Sequence, residues 1–138
     1  MLPFKLSPET LEELKNKACD AQQLDQSEVC GLLVTEDGTL LSFDFLPNES
    51  DRAGSYSLSF ETLEERVAQL SKLGKTVIGS FHSHPISEAI PGPRDIENAF
   101  YNGIELIYDV CGEEARLWSK PTEEDEVCEL ELTILPPE

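Results

Sequence analysis

The order of helical and extended patterns along the chain is the feature that most constrains its fold. Apolar residues at helical spacing alternate with short β-branched or apolar runs, in the predicted order α-β-β-β-α-β-α-β-β-β. Helices interspersed among strands pack on the faces of the sheet, so this order predicts an α/β fold with a mixed sheet flanked by helices. With 138 residues, no internal repeat and no long linker, the chain is predicted to form one domain over residues 1–138.

Caps, periodicity and turn residues predict the individual elements. Ser7 and Pro8 suit the start of a first helix, which extends to about Gln22. A second helix carries Leu63, Val67, Leu70 and Leu73 and stops before Gly74, and a third begins at Gly92–Asp95 and reaches about Tyr101. The predicted strands are Val29–Thr35, Leu40–Leu46, Tyr56–Ser59, Thr76–Phe81, Ile104–Val110, Ala115–Ser119 and a last strand with Cys128, Leu130, Leu132 and Ile134 on one face.

Charge and cysteine content exclude several classes of function. The 10 Lys and Arg against 28 Asp and Glu leave a net charge of −18, which repels nucleic acid and anionic membrane surfaces. No apolar run approaches the roughly 18 residues of a membrane span, and the N-terminus does not resemble a secretory signal. The four cysteines are scattered without a CxxC pair, so we expect reduced, mostly buried thiols in a cytoplasmic protein.

The two histidines of the chain, His82 and His84, follow directly on a predicted strand. Residues i and i+2 of an extended segment point to the same face, so both imidazoles can reach one metal ion. A catalytic zinc takes three protein ligands and keeps one open position, and Asp95 at the start of the third helix is the best candidate for the third ligand. A histidine pair without a metal, with Asp95 serving only the helix start, is the alternative, because acidic residues are abundant in this chain.

A metal-dependent hydrolase also needs a general base, and Glu28 is the candidate. It immediately precedes the apolar strand at Val29–Thr35, which is predicted to lie centrally in the sheet. If that strand neighbours the strand carrying the histidines, Glu28 can take a proton from the attacking water and return it to a leaving amine. A solvated carboxylate at a strand end is the alternative interpretation.

Taken together, Glu28-x-Cys30-Gly31, His82-Ser83-His84-Pro85 and Asp95 resemble the JAMM (MPN+) metalloprotease motif in order and spacing. The resemblance covers about Leu11 to Ser119 and is closest to minimal prokaryotic-type members. It implies a cytidine-deaminase-like fold and zinc held by His82, His84 and Asp95, with Glu28 as general acid and base. It further implies a zinc peptidase or isopeptidase acting at the C-terminus of a ubiquitin-like protein, whose extended tail adds to a sheet edge.

One position departs from that motif: Gly92 stands where the family has a serine that supports the oxyanion. Losing one oxyanion donor typically costs a factor of about 10²–10³ in rate, so activity is expected to fall rather than vanish. Gly92 still offers a backbone N–H without a side chain to block approach, and we expect this amide or the zinc itself to polarise the scissile carbonyl.

Two other functions remain open from the sequence. A scaffold or binding module would keep the fold and lose catalysis through the altered loop at Gly92. Another metal protein with a His-x-His pair, such as a cupin with Glu88 as extra ligand, fits less well because cupins are all-β. Of the remaining notable residues, Ser83 is predicted to point away from the histidines, and the aromatic side chains predicted to pack in the interior are Phe81, Phe100, Tyr101 and Trp118.

Overall fold

The computed structural model describes residues 4–25, 28–48, 59–84, 89–91, 103–120 and 126–136. Within these residues the elements are β1 (Phe4–Leu6), α1 (Pro8–Asp25), β2 (Cys30–Thr35), β3 (Leu41–Leu46), α2 (Phe60–Lys72), β4 (Thr76–His84), β5 (Ile104–Asp109), β6 (Glu114–Ser119), β7 (Cys128–Leu130) and β8 (Leu132–Ile134). Six strands form one sheet in the order β3-β2-β4-β5-β6-β7, while β1 and β8 form a two-stranded sheet. The predicted α/β architecture with a mixed sheet is confirmed.

The first helix begins as its sequence predicts. The Ser7 hydroxyl accepts a hydrogen bond from the Thr10 amide at 3.1 Å and so satisfies one of the free N–H groups of the first turn. Leu14 and Ala18, one turn apart, are completely buried and attach α1 to the sheet. The helix continues to Asp25, beyond the predicted end near Gln22.

A tight turn joins β2 and β3 in the predicted hairpin. One carboxylate oxygen of Asp37 accepts hydrogen bonds from the amides of Thr39 at 2.9 Å and Leu40 at 2.8 Å. Gly38 adopts φ 89°, a left-handed conformation that side-chain-bearing residues rarely take. β3 begins at Leu41, one residue after the predicted start, and alternates as predicted, with its inward-facing residues Leu41, Phe43 and Phe45 contributing to the core.

The second helix is also confirmed, with two differences at its ends. Ser59 caps it, because its side chain accepts from the Thr62 amide at 3.2 Å, whereas Ser59 was predicted to end a strand. Residues 56–58 of that predicted strand lie outside the described part of the chain. Leu73 is 67% exposed at the C-cap rather than part of the apolar stripe, and Gly74 follows with φ 78°.

The central strands give the sheet its mixed character. β4 pairs antiparallel with β2 and parallel with β5, and β5 pairs antiparallel with β6. A parallel pair needs a crossover connection of a dozen or more residues, and the chain between His84 and Ile104 supplies it. The third predicted helix, residues 92–101, falls wholly within this connection and lies outside the described residues.

The C-terminal part of the chain corrects the prediction of one last strand. β7 extends the large sheet beside β6, whereas β8 pairs in parallel with β1, a strand that was not predicted. Cys128 is exposed and Ile134 is 44% exposed, so the four alternating residues do not share one buried face. Alternation of apolar and polar residues indicates an extended segment but does not show which strand it pairs with. Strands of three residues, such as β1, are too short for such alternation to be recognised.

The two faces of the large sheet are covered by different helices. On one face α1 packs over Phe81 and Leu106, together with Leu33, Leu41, Tyr108 and Leu117. On the other face Leu70 of α2 packs against Leu32, Val34 and Val77. Since Leu32 lies opposite Ser80 and Cys30 opposite His82, the histidine side chains lie on the α2 face.

Side-chain burial confirms some of the sequence-based expectations and corrects others. Phe81 and Trp118 are buried as predicted, and Phe100 and Tyr101 lie outside the described residues. All four cysteines are free, but only Cys30 is buried, and Cys111 and Cys128 are exposed. Cys111 lies in the β5–β6 turn and Cys128 on β7, an edge of the sheet among the described strands. Neither described helix is apolar over a stretch that would cross a bilayer.

Candidate metal centre

The two histidines lie side by side on one face of β4. The strand does not end at Phe81 as predicted but continues through His84, because His82 pairs with Cys30 of β2 and His84 with Asp109 of β5. The Nε2 atoms of His82 and His84 are 3.0 Å apart, and both rings are buried. The predicted convergence of the two imidazoles is therefore present in the structure.

This pair of nitrogens fits a tetrahedral metal ion. Zn–N bonds of about 2.0–2.1 Å with tetrahedral angles separate two ligand nitrogens by roughly 3.3 Å, close to the observed 3.0 Å. Among the described residues no three His, Cys, Asp or Glu side chains converge as a metal site. Asp95, the predicted third ligand, and Gly92, the predicted oxyanion position, both fall outside those residues.

Glu105 is the site residue that the sequence analysis missed. It is completely buried in β5, and its Oε2 lies 2.5 Å from Nδ1 of His82. Its other carboxylate oxygen accepts a hydrogen bond from the Ser80 hydroxyl. Register explains this arrangement, because Ser80 lies directly opposite Glu105 on the neighbouring parallel strand. The available sequence signal was a carboxylate inside the otherwise apolar run at the start of β5, where an unpaired charge is costly.

Glu28 lies where the histidine-bearing strand ends. β2 and β4 are neighbours, as the hypothesis for Glu28 required, and the pair Cys30–His82 continues through a hydrogen bond from the Ser83 amide to the Val29 carbonyl at 3.0 Å. Extending this antiparallel register by one more residue sets Glu28 opposite His84, on the same face of the sheet. Glu28 is only 6% exposed, so it is not a solvated strand end.

A groove of about 370 Å³ opens beside Glu28. Lys17 and Asp20 of α1 line one side, and Phe45 and Leu46 of β3 line the other. β3 is an edge of the six-stranded sheet among the described strands, so backbone groups of β3 border this groove. The carbonyl of Glu28 accepts a hydrogen bond from the Asn48 side chain at 2.9 Å, which ties Glu28 to the chain after β3.

Comparison with known proteins assigns the family. The sequence profile for prokaryotic homologs of the JAB domain matches residues 10–121, most of the chain. Desampylase of Haloferax volcanii is 26% identical over 111 residues, covering 78% of this chain and 78% of that protein. Residues 10–121 contain β2, β4 and β5, the strands that carry or adjoin the site residues described above.

Solved structures agree on the fold. A protein of Desulfitobacterium hafniense, determined in solution, superposes with a TM-score of 0.75 at 25% identity and covers 97% of this chain and 94% of its own. A JAB1/MPN domain protein from Archaeoglobus fulgidus gives a TM-score of 0.58 at 19% identity, covering 94% of this chain and 99% of its own. From the profile match over residues 10–121 and this common fold, the chain belongs to the prokaryotic branch of the JAB (JAMM/MPN) family.

Proposed function

We propose that this protein is a zinc-dependent peptidase or isopeptidase that hydrolyses the amide or isopeptide bond at the C-terminus of a ubiquitin-like protein. The observation that carries the proposal is the pair of buried, facing imidazoles of His82 and His84. The antiparallel register of β2 and β4, continued to Glu28, supports a carboxylate opposite His84. The name of the relative, desampylase, supports a ubiquitin-like modifier linkage as the bond that is cut.

In this proposal His82, His84 and Asp95 hold the metal. When bound, zinc supplies Lewis acidity, which activates a water molecule for attack and polarises a carbonyl. Glu28 accepts a proton of the attacking water and then donates it to the departing amine, so that its carboxylate is regenerated in each cycle. The burial of Glu28 favours both transfers, since few bulk water molecules compete for its carboxylate.

The substrate tail is proposed to lie along β3 and to reach Glu28, which also lines the groove, so that the scissile bond enters on the histidine face of the sheet. An extended peptide lying along β3 would pair with backbone groups of that strand, which is an edge of the sheet among the described strands. The backbone N–H of Gly92 is proposed to support the developing oxyanion in place of the serine of the family. If Gly92→Ser keeps zinc bound but raises turnover about a hundredfold, the glycine amide was not replacing the hydroxyl.

The proposal is tested by zinc analysis together with cleavage of linear fusions in which a ubiquitin-like protein precedes a reporter. We expect one zinc per chain and cleavage that a chelator abolishes. Glu28→Gln should bind zinc normally but cleave about 10²–10⁴-fold more slowly, because the proton carrier is lost. The matched control is Glu36→Gln, at the opposite and exposed end of β2, which should cleave at the native rate.

Two results would contradict the proposal. Equal rates for the native protein and Glu28→Gln would remove Glu28 from the mechanism. A protein that binds the ubiquitin-like fusion but holds no zinc and cleaves nothing would instead be the scaffold or binding module considered from the sequence.

A further inference from the structure

Glu105 is a completely buried carboxylate on the same face of the sheet as the candidate metal ligands. Burying a carboxylate is strongly unfavourable unless it is paired and hydrogen-bonded, so the partners of Glu105 explain its position. We propose that Glu105 is a positioning residue that orients His82 and sets the affinity of the site for zinc, an inference that rests on the proposed function.

The contact of Glu105 selects one tautomer of His82. A carboxylate at 2.5 Å from Nδ1 accepts a hydrogen bond from the Nδ1–H group. In the neutral ring the proton then resides on Nδ1, and Nε2 keeps its lone pair. Nε2 of His82 lies 3.0 Å from Nε2 of His84, so it is the ring nitrogen available to a cation shared by the two histidines. The tautomer held by Glu105 is thus the one that can bind metal.

Ser80 holds Glu105 in turn. The Ser80 hydroxyl donates to the carboxylate oxygen that does not contact His82, so both oxygens of Glu105 are engaged. Ser80 and His82 lie two residues apart on β4, and Ser80 faces Glu105 across the parallel pair of β4 and β5. A hydroxyl, a carboxylate and an imidazole therefore form one chain of hydrogen bonds across two adjacent central strands.

A purely structural ion pair is the competing explanation, and its consequences differ. Such a pair would change the stability of the metal-free protein but not the affinity of the folded protein for zinc. A partner that orients a metal-ligating histidine changes the metal affinity itself, typically by about 10–100-fold when it is removed. Measuring both quantities separates the two explanations.

The experiment determines zinc dissociation constants by competition with a chromophoric chelator and records the visible spectrum of the Co²⁺-substituted protein. Glu105→Gln should weaken zinc binding about 10–100-fold and shift the Co²⁺ absorption bands, because a neutral amide accepts the Nδ1–H hydrogen bond of His82 more weakly than a carboxylate does. Ser80→Ala, which leaves Glu105 in place, should weaken zinc binding by a smaller factor, of the order of threefold. The control Glu129→Gln removes a carboxylate that bonds Arg116 at the surface and should bind zinc like the native protein.

The proposal is overturned if Glu105→Gln is folded and binds zinc with native affinity and an unchanged Co²⁺ spectrum. Should Glu105→Gln not fold, native zinc affinity and an unchanged Co²⁺ spectrum in Ser80→Ala would overturn it. Failure of the proposed function would give a different result from failure of this inference. The native protein would then bind zinc but cleave no fusion, while the differences in zinc affinity among the variants would persist. A native protein without zinc affinity would overturn both.

Discussion

At the scale of single residues, Ser83 shows how the candidate base is linked to the histidine strand. It lies between His82 and His84 but points to the opposite face, as predicted, and it is completely buried. Its hydroxyl accepts a hydrogen bond from the Val29 amide at 2.9 Å, and its own amide donates to the Val29 carbonyl. Ser83 thereby fixes the residue that follows Glu28.

Replacing Ser83 with alanine should therefore affect both stability and cleavage. The partly buried Val29 amide loses its acceptor, which costs about 1–3 kcal/mol in the free energy of unfolding. We also expect slower cleavage with unchanged zinc content, because Glu28 is less well held. Urea denaturation and the fusion assay measure the two effects. The control Ser42→Ala removes an exposed hydroxyl with a long 3.4 Å hydrogen bond and should change stability by less than about 0.5 kcal/mol.

The turn residue Asp37 provides a test of local electrostatics away from the site. Hydrogen bonds from the amides of Thr39 and Leu40 lower the pKa of Asp37 from 3.8 to about 2. Because the folded pKa is depressed, the stability that Asp37 contributes is complete above pH 3.8 and is lost as the pH falls through 2. Carbon-13 NMR titration should give a carboxyl midpoint near 2, and Asp37→Asn should remove this part of the pH dependence. A midpoint at the ordinary value would show that the turn bonds are not formed in solution.

At the scale of secondary structure elements, close contacts of the strand backbones hold β2 beside β4. A Cβ atom on Gly31 would lie 2.0 Å from the Asp44 carbonyl oxygen and 2.8 Å from a ring carbon of Phe81. Neither the neighbouring backbone nor a buried aromatic ring can move freely, so only glycine fits this position of β2. The same strand carries Cys30 opposite His82, and its entry residue is Glu28.

Gly31→Ala should accordingly destabilise the protein by at least about 1–3 kcal/mol, the usual cost of overpacking a core. Displacement of β2 should also slow cleavage, since Glu28 moves relative to the histidines. Gly112→Ala is the matched control, because its Cβ would meet only the Asp109 carboxylate, a side chain that can rotate. Urea denaturation compares the two variants, and similar losses of stability in both would contradict the packing argument.

At the scale of the whole molecule, the net charge of −18 is the dominant electrostatic property. Ion pairs such as Lys15–Glu113, Arg66–Asp44 and Arg116–Glu129 involve the basic residues, but acidic residues outnumber basic ones by 18. Self-repulsion of this excess destabilises the compact state and is screened by salt. It also favours partners with basic surfaces.

Raising the ionic strength should therefore stabilise the protein. Between about 0.01 M and 0.15 M salt the Debye length falls from about 30 Å to about 8 Å. We expect the unfolding temperature to rise by roughly 3–5 °C, which corresponds to about 1 kcal/mol for a chain of this size. The double variant Glu64→Gln/Glu65→Gln, which removes two exposed charges of α2, should show a smaller rise. A native protein whose unfolding temperature is constant or falls with salt would contradict this expectation.

Much of the local structure was predictable because its causes lie close together along the chain. The Ser7 cap, the turn at Asp37–Gly38 and the stop at Gly74 each depend on residues a few positions apart. The shared face of His82 and His84 follows from strand geometry alone. The family motif could likewise be recognised from the sequence, since it consists of residue types at characteristic spacings.

Tertiary structure decided the partners of those elements. The strand order β2-β4-β5 sets Glu105 against His82 and, when the register of β2 and β4 is continued, sets Glu28 opposite His84. The members of each pair are more than twenty positions apart in sequence. Tertiary pairing also divided the predicted last strand into β7, which pairs with β6, and β8, which pairs with β1. Backbone propensity acts over a few residues, whereas strand pairing depends on which distant apolar faces are buried together. A local sequence pattern therefore does not determine which strands pair.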